Sequence, residues 1–507
     1  MGMGLPEASF VSVPARLRAA AAAFPDRMAV CDERSSLTYC QLREATGAAA
    51  DKLSRAGVLQ GDVVAICAFN SVSYVIAYLG AVGMGAVVAP LPQSATADSL
   101  ARMIGDCAAR IVLVDEGAGS MLANCELPAP LASLTDIADP AGVLPEGQMF
   151  EWAEIASSDR FNIIYSSGTT GTPKGIVQSH AMREAHVQLG EACGYYPGCV
   201  TLLSTPLYSN TTLISLLPTL ALGGTAILMR KFGAEAFLTL AEEQRVTHAM
   251  LVPIQYQRLM ASEGFDTHDL SSFREKFCTS APFPPELKRA ILKRWPGGLT
   301  EYYGMTEGGG LCILRAHAHP DKLHTVGRPA PGTDMRIIDE EGVELAAGEV
   351  GEIVGISENF MLGYHNRPGA TEEAIWTAPD GSRFMRTGDI GKFDEDGFLT
   401  LMDRKKDVII SGGFNIYPSD LEEVLRAHPH VDDAAVVGIP SARWGETPVA
   451  FIVGPRASSA EVLEYANQRV GKSQRLADLR IVDQLPRSQI GKILKRELRA
   501  SYEEDSA

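Results

Sequence analysis

One segment concentrates the side chains that could grip an anion: Tyr165-Ser166-Ser167-Gly168-Thr169-Thr170-Gly171-Thr172-Pro173-Lys174-Gly175. Glycine permits positive φ and close backbone approach. Successive N–H groups can then form an anion nest, with hydroxyls as further donors. Lys174 supplies a point charge. Together these features suit a phosphate group. The string is not a Walker A loop, which needs glycine immediately before the lysine, where Pro173 stands here. By composition alone it would also make a flexible polar turn.

Four more segments carry reactive residue types. In Tyr302-Tyr303-Gly304-Met305-Thr306-Glu307 an aromatic could stack on a purine. The Thr306 hydroxyl could bond a phosphoryl oxygen, and the Glu307 carboxylate could hold Mg²⁺. In Arg386-Thr387-Gly388-Asp389-Ile390-Gly391 one carboxylate, Asp389, could accept both hydroxyls of a ribose. The run Asp403-Arg404-Lys405-Lys406-Asp407 reads as a charged linker before Gly412-Gly413. Near the C-terminus, Lys492 follows Gly491 and opens a basic helix, which alone implies only a solvated face.

The elements around these segments follow from apolar patterning. Val63–Phe69 reads as a buried strand, then a helix through Tyr74–Val82, a strand at Ala86–Leu91, a helix at Leu100–Cys107 and a strand at Ile111–Asp115. The apolar strand Phe161–Ile164 leads into the hydroxyl-rich segment. The alternation recurs with strands at Val200–Ser204, Thr225–Met229 and Thr247–Val252, and a helix at Ala234–Gln244. Such alternation implies βαβ units and parallel sheets. Asp334–Gly355 differs: short strands broken by turn residues suggest antiparallel structure. Past Asp403 come a strand at Val408–Ile410, a helix at Pro418–Ala427, a strand at Ala434–Val437 and a helix at Ala460–Val470. The expected fold is α/β: a large N-terminal domain (1–402) of βαβ-type sheets plus a small antiparallel part, a joint at 403–406, and a small α+β domain (407–507).

Composition narrows the function. With 507 residues, 46% hydrophobic and 21% charged, the chain reads as an ordinary soluble globular protein of several domains. A net charge of −17 argues against a nucleic-acid partner. Nine scattered cysteines form no CxxC pair and no zinc spacing, which suits a reducing cytoplasm. The uncharged stretches Val63–Ala97 and Cys199–Met229 are broken by Gly and Pro, so they read as buried core and not as integral membrane segments.

Taken in order, these motifs resemble those of the adenylate-forming (AMP-binding) superfamily of acyl-CoA synthetases, luciferases and peptide-synthetase adenylation domains. The resemblance spans nearly the whole chain. It implies an acid–CoA ligase using ATP, coenzyme A and Mg²⁺, in which a carboxylic acid becomes an acyl-adenylate and then a thioester. It implies that Ser166, Ser167, Gly168, Thr169, Thr170, Gly171 and Lys174 bind phosphate. Tyr303 stacks on adenine, with Ser280 and Ala281 in a shortened adenine loop. Thr306 contacts the α-phosphate, Glu307 supports the metal, and Asp389 and Arg404 hold the ribose. Lys406 is the hinge. Lys492 bridges the substrate carboxylate and the ATP phosphate. Gly412, Gly413, Trp444 and Arg475 lie along coenzyme A. Gly363-Tyr364 reads as structural.

One departure concerns the acid. Relatives carry Pro-Leu-Tyr-His before the acyl pocket, whereas this chain has Pro206-Leu207-Tyr208-Ser209-Asn210. The expected pocket lining includes Tyr208, Ser209, Val252, Gly304 and Gly308, and it leaves aromatic and aliphatic acids open. A homodimer is a family-level expectation. The alternatives are a stand-alone amino-acid adenylation domain, a luciferase-type oxygenase, and a nucleotide-binding regulator without turnover.

Overall fold

The computed structural model describes residues 10–166, 174–358, 360–411, 414–441, 444–454, 458–471, 474–488 and 491–506. They fall into two compact units. The first comprises the chain up to Leu323 with Ala330–Thr333 and Ile356–Met385, and the second holds the remainder.

The first unit contains a seven-stranded sheet in the order Gly363–Tyr364, Lys174–Ser179, Arg160–Ser166, Val87–Pro90, Val63–Cys67, Ala109–Val114, Leu131–Ser133. Its strands from Arg160–Ser166 through Leu131–Ser133 run parallel, and Lys174–Ser179 and Gly363–Tyr364 close one edge antiparallel. A second sheet places Leu311–Arg315, Gly298–Gly304, Glu275–Cys278, His248–Leu251, Val200–Leu203, Thr225–Leu228, Met28–Cys31 and Ser36–Thr38 side by side.

Between the sheets lies one apolar core. Val64, Ile66 and Val88 of the first sheet share it with Val30, Leu203, Ala226 and Leu228 of the second. The helix Val72–Gly83 runs through it with every residue buried, so its apolar residues surround it instead of forming a stripe. Gly83 is required there: a Cβ would lie 2.3 Å from the Trp152 ring.

A third sheet sets Thr333–Ile338, Gly351–Ser357 and Arg383–Phe393 side by side, with Leu399–Arg404 paired to the last of them. A further five-stranded sheet joins Phe414–Ile416, Ile409–Ser411, Gly445–Val453 and Asp433–Ser441, with Asp478–Ile481 parallel to Gly445–Val453. Its side chains alternate between two covered faces. Ala434, Val436, Ala450 and Ile452 pack with the helices Pro418–Arg426 and Ser459–Arg469. Ala435, Val437, Val449 and Phe451 pack with Leu498 and Tyr502 of the helix Lys495–Ser506. The expected short strand at Ala434–Val437 is longer, Asp433–Ser441. Its partner Gly445–Val453 escaped the sequence reading, since charged and turn residues separate the two. Among the described residues, no helix is long and apolar enough to cross a membrane.

Candidate active site

The parallel strands of the second sheet end together, and the candidate residues follow their carboxyl ends, where open α/β sheets bind ligands. Ser209 follows Val200–Leu203, Val252 follows His248–Leu251, Ser280 and Ala281 follow Glu275–Cys278, and Thr306 and Glu307 follow Gly298–Gly304. The strands are in register, with His248 opposite Thr201 and Glu275, and Glu275 opposite Gly298.

Ser209 caps the helix Asn210–Ala221, its Oγ accepting from the Thr211 N–H at 3.3 Å. The Thr211 and Ser280 hydroxyls are 2.6 Å apart. Ser280 holds φ +82°, a strained value for a residue with a Cβ. The Tyr208 hydroxyl is pushed up to about 12 by burial, against a counteracting bond with Ser94. Tyr303 is buried and paired with Cys312 across the antiparallel ladder, while Gly304 is exposed and Gly308 adopts φ +77°.

The hydroxyl-rich loop leaves the first sheet at Ser166 and re-enters at Lys174, two residues paired directly opposite each other. Ser167, Gly168, Thr169, Thr170 and Gly171 lie outside the described residues. The Lys174 ammonium sits 5.0 Å from the centre of the Tyr364 ring. The Tyr364 hydroxyl donates to Glu307 Oε1 at 2.9 Å. Burial, then the Glu307 charge, pushes that phenol well above its usual range. Backbone contacts brace the same region: Met361 N–H donates to the Glu307 carbonyl at 2.8 Å, and Gly308 bridges Phe360. From the sheet side, Gln178 Nε2 donates to the Thr306 carbonyl at 2.6 Å. Tyr364, read from sequence as structural, thus touches both Glu307 and Lys174. Its sequence signal was only a Gly-Tyr pair; the edge strand that delivers it is set by tertiary pairing to Ile176–Val177.

Glu307 fits a Mg²⁺ ligand. It is half-buried, and Oε2 has no partner among the described residues. No group of three or more His, Cys, Asp or Glu side chains placed to hold a metal ion exists among them. A single carboxylate suffices for Mg²⁺, which keeps waters and draws its other ligands from substrate phosphates.

The second unit gathers the remaining charged candidates. Asp389 and Arg404 face each other across adjacent strands, with Arg404 Nε 2.9 Å from Asp389 Oδ1. Lys492 lies within the field of Arg404, Lys406, Asp389 and Asp407. Burial first, then the Arg404 and Lys406 charges, lowers the Lys492 ammonium to about 8. Its backbone is fixed by a tight turn: Ser488 N–H donates to the Lys492 carbonyl at 2.8 Å, and Lys492 N–H donates to Ser488 Oγ at 3.1 Å. Gly491, at φ +79°, makes that turn possible. Burial likewise lowers Lys406, part of a short 3₁₀ turn, Lys405–Asp407. Trp444 and Arg475 stand exposed on the surface, and Gly412 and Gly413 lie outside the described residues.

Comparison with known proteins gives this arrangement its context. The model of the AMP-binding enzyme family matches residues 17–365, and that of the AMP-binding enzyme C-terminal domain matches residues 420–492. A feruloyl-CoA synthase from an Amycolatopsis species is 34% identical over 499 residues, covering 94% of this chain and 96% of its own. Long-chain-fatty-acid–CoA ligase FadD13 of Mycobacterium tuberculosis is 30% identical over 479 residues, covering 92% and 93%. The crystal structure of ATP-bound MatB from Rhodopseudomonas palustris superposes with a TM-score of 0.87 at 29% identity, covering 98% of this chain and 99% of that one. The chain therefore belongs to the AMP-binding enzyme family, the adenylate-forming superfamily that includes acyl- and aryl-CoA synthetases.

Proposed function

We propose that this enzyme uses ATP to convert a carboxylic acid into an acyl-adenylate, releasing pyrophosphate, and then passes the acyl group to coenzyme A. The observation that carries the reading is the convergence of Lys174, Tyr364 and Glu307 beside Thr306, at the base of a loop rich in hydroxyls and glycines.

A free carboxylate is a poor acyl donor because its leaving group would be oxide. Attack of its oxygen on the α-phosphorus of ATP forms the mixed anhydride and expels pyrophosphate. Negative charge grows on the phosphoryl oxygens in that step, so positioning and electrostatics dominate. The Thr306 hydroxyl and the loop from Ser166 to Lys174 bind the phosphates, and Asp389 with Arg404 holds the ribose. Mg²⁺ on Glu307 would neutralise part of the phosphate charge. Lys492 stabilises the reacting carboxylate and phosphoryl oxygens. The thiol of coenzyme A then attacks the acyl carbon, and AMP leaves.

Both half-reactions need the same carbon. In this reading the joint 403–406, with Lys406 as pivot, turns the C-terminal lid (407–507) between them. Its second orientation would bring Gly412, Gly413, Trp444 and Arg475 to coenzyme A. The acid is aromatic or medium- to long-chain aliphatic, matching the span from feruloyl to long-chain fatty acyl among the relatives. Tyr208, Ser209, Val252, Gly304 and Gly308 line its pocket.

The test is pyrophosphate release with a panel of such acids, followed by thioester formation with coenzyme A. Lys492→Ala should lose pyrophosphate release while still forming thioester from supplied acyl-adenylate. Equal loss of both half-reactions would refute that division of labour. Absence of pyrophosphate release with every acid would sink the ligase reading itself.

A further inference from the structure

The first unit buries an arginine that the reaction above does not use. Arg183, on the helix His180–Ala192, is 0% exposed. Its neighbour Glu184 is engaged by Arg16 instead. Arg183 Nε donates to Asn162 Oδ1 at 2.9 Å, and Nη1 donates to Asn210 Oδ1 at 2.7 Å. Its third nitrogen, Nη2, is buried without a hydrogen-bond partner among the described residues. Burial lowers this guanidinium to about 10. A buried charge held only by neutral acceptors is costly, so what it does there matters.

It begins a directional chain. Asn162 Nδ2 donates to Gln178 Oε1 at 3.1 Å, and Gln178 Nε2 donates to the Thr306 carbonyl at 2.6 Å. Asn162 and Gln178 are both 0% exposed and face each other on adjacent strands. An amide can point either way, but a guanidinium only donates. Arg183 therefore fixes Asn162 with its oxygen toward the arginine and its NH₂ toward Gln178. Gln178 must then accept from Asn162 and offer its own NH₂ to Thr306. Were the order reversed, Gln178 Oε1 would face the Thr306 carbonyl, two acceptors in contact. On the far side Met361 N–H holds the Glu307 carbonyl and Tyr364 holds the Glu307 carboxylate.

We propose that Arg183, Asn162 and Gln178 are positioning residues: a buried one-way relay that fixes the Thr306–Glu307 peptide, and so sets the Thr306 hydroxyl and Glu307 carboxylate against the nucleotide phosphates. The inference rests on the roles given to Thr306 and Glu307 above. The same guanidinium also holds Asn210, the residue after Ser209, so it braces the start of the helix Asn210–Ala221 as well.

The decisive variant is Asn162→Asp. It gives Arg183 a carboxylate of the same shape and should preserve or raise thermal stability. It cannot donate to Gln178, so it reverses the relay. Binding of ATP with Mg²⁺, measured by calorimetry without any acid, should weaken about tenfold, the factor equivalent to about 1.4 kcal/mol. Gln178→Leu should weaken it similarly, and the double variant should be no worse than either single one, because both break one chain. Affinity within twofold of the unaltered protein for Asn162→Asp, or multiplied losses in the double variant, would overturn the relay and leave a purely structural network. Normal ATP binding in a protein that activates no acid would overturn the ligase reading but not the relay. Failure of the unaltered protein to bind ATP would overturn both.

Discussion

The Tyr364 hydroxyl donates to Glu307 Oε1 at 2.9 Å, while the same ring lies 5.0 Å from the Lys174 ammonium. One aromatic side chain thus sits between the proposed metal ligand and the proposed phosphate-binding cation. A hydroxyl bonded to a carboxylate contributes about 1.5–3 kcal/mol. Tyr364→Phe keeps the ring but frees Glu307 to change rotamer. We expect the Mg²⁺ concentration for half-maximal pyrophosphate release to rise about tenfold, with the rate restored at saturating Mg²⁺. Glu307→Gln should instead lower the rate by about 10²–10³ at any Mg²⁺ concentration. A Tyr364→Phe enzyme with unchanged Mg²⁺ dependence would show that the bond does not orient the carboxylate.

Lys492 gives a pH prediction with a definite sign. Its ammonium is lowered to about 8, by burial and then by Arg404 and Lys406. The proposed role needs the charged form. The kcat/KM for pyrophosphate release should therefore fall as pH rises through about 8, reporting the free enzyme. The kcat profile should break at higher pH, because bound phosphates favour the ammonium. Lys492→Arg, charged throughout, should retain only a fraction of the rate but lose that alkaline fall. A fall of the same shape in Lys492→Arg would assign it to another group.

Asp403 offers a stability prediction. Burial raises its carboxyl to about 6, only partly offset by the Lys495 charge and the Ser419 contacts. Its Oδ2 accepts from the Ser419 N–H at 2.7 Å, at the start of the helix Pro418–Arg426. Folded, this group holds its proton up to a higher pH than it does unfolded. Stability should thus decline as pH climbs from the ordinary aspartate range to about 6, and stay lower above it. Asp403→Asn keeps an acceptor for Ser419 and removes the buried charge. It should be more stable than the parent at pH 7 by about 1–2 kcal/mol, and equal to it near pH 3. Thermal unfolding at the two pH values decides; a variant less stable at pH 7 would mean that Lys495 compensates the charge fully.

Much of this architecture is legible in the sequence because buried strands announce themselves. Val63–Cys67, Val200–Leu203, Thr225–Leu228 and His248–Leu251 all lie within apolar runs read from sequence, trimmed by one or two residues at an end. Parallel strands covered on both faces leave near-continuous apolar stretches. The residues proposed to bind the nucleotide are legible by motif, since Thr306, Glu307, Asp389 and Lys492 stand in strings whose chemistry is local. What stayed hidden depends on partners distant in sequence. Asn162 and Gln178 look like polar interruptions in apolar strands, and only the antiparallel return of Lys174–Ser179 sets them side by side. Arg183 looks like a solvated helix residue, yet it is wholly buried. Tyr364 acquires its meaning only when its short strand docks on Ile176–Val177.

A last prediction concerns the ion pair beneath Tyr302-Tyr303. Lys288 pairs with Glu301, and its ammonium also donates to the Leu323 carbonyl at 2.9 Å. The two side chains are almost wholly buried, and Glu301 lies on the strand that delivers Thr306. Burial pushes the Glu301 carboxyl upward, against the pull of Lys288. Lys288→Met would leave a buried carboxylate unpaired, which costs about 3–5 kcal/mol. That penalty should shrink as pH falls into the glutamate range, because protonation removes the orphaned charge in both folded and unfolded chains. Adding Glu301→Gln to Lys288→Met should recover most of the loss, since neither charge then remains. Denaturant unfolding of the single and double variants measures the cycle. If the double variant is as unstable as the sum of the two singles, the pair serves packing alone, and the strand leading to Thr306 and Glu307 owes it no electrostatic support.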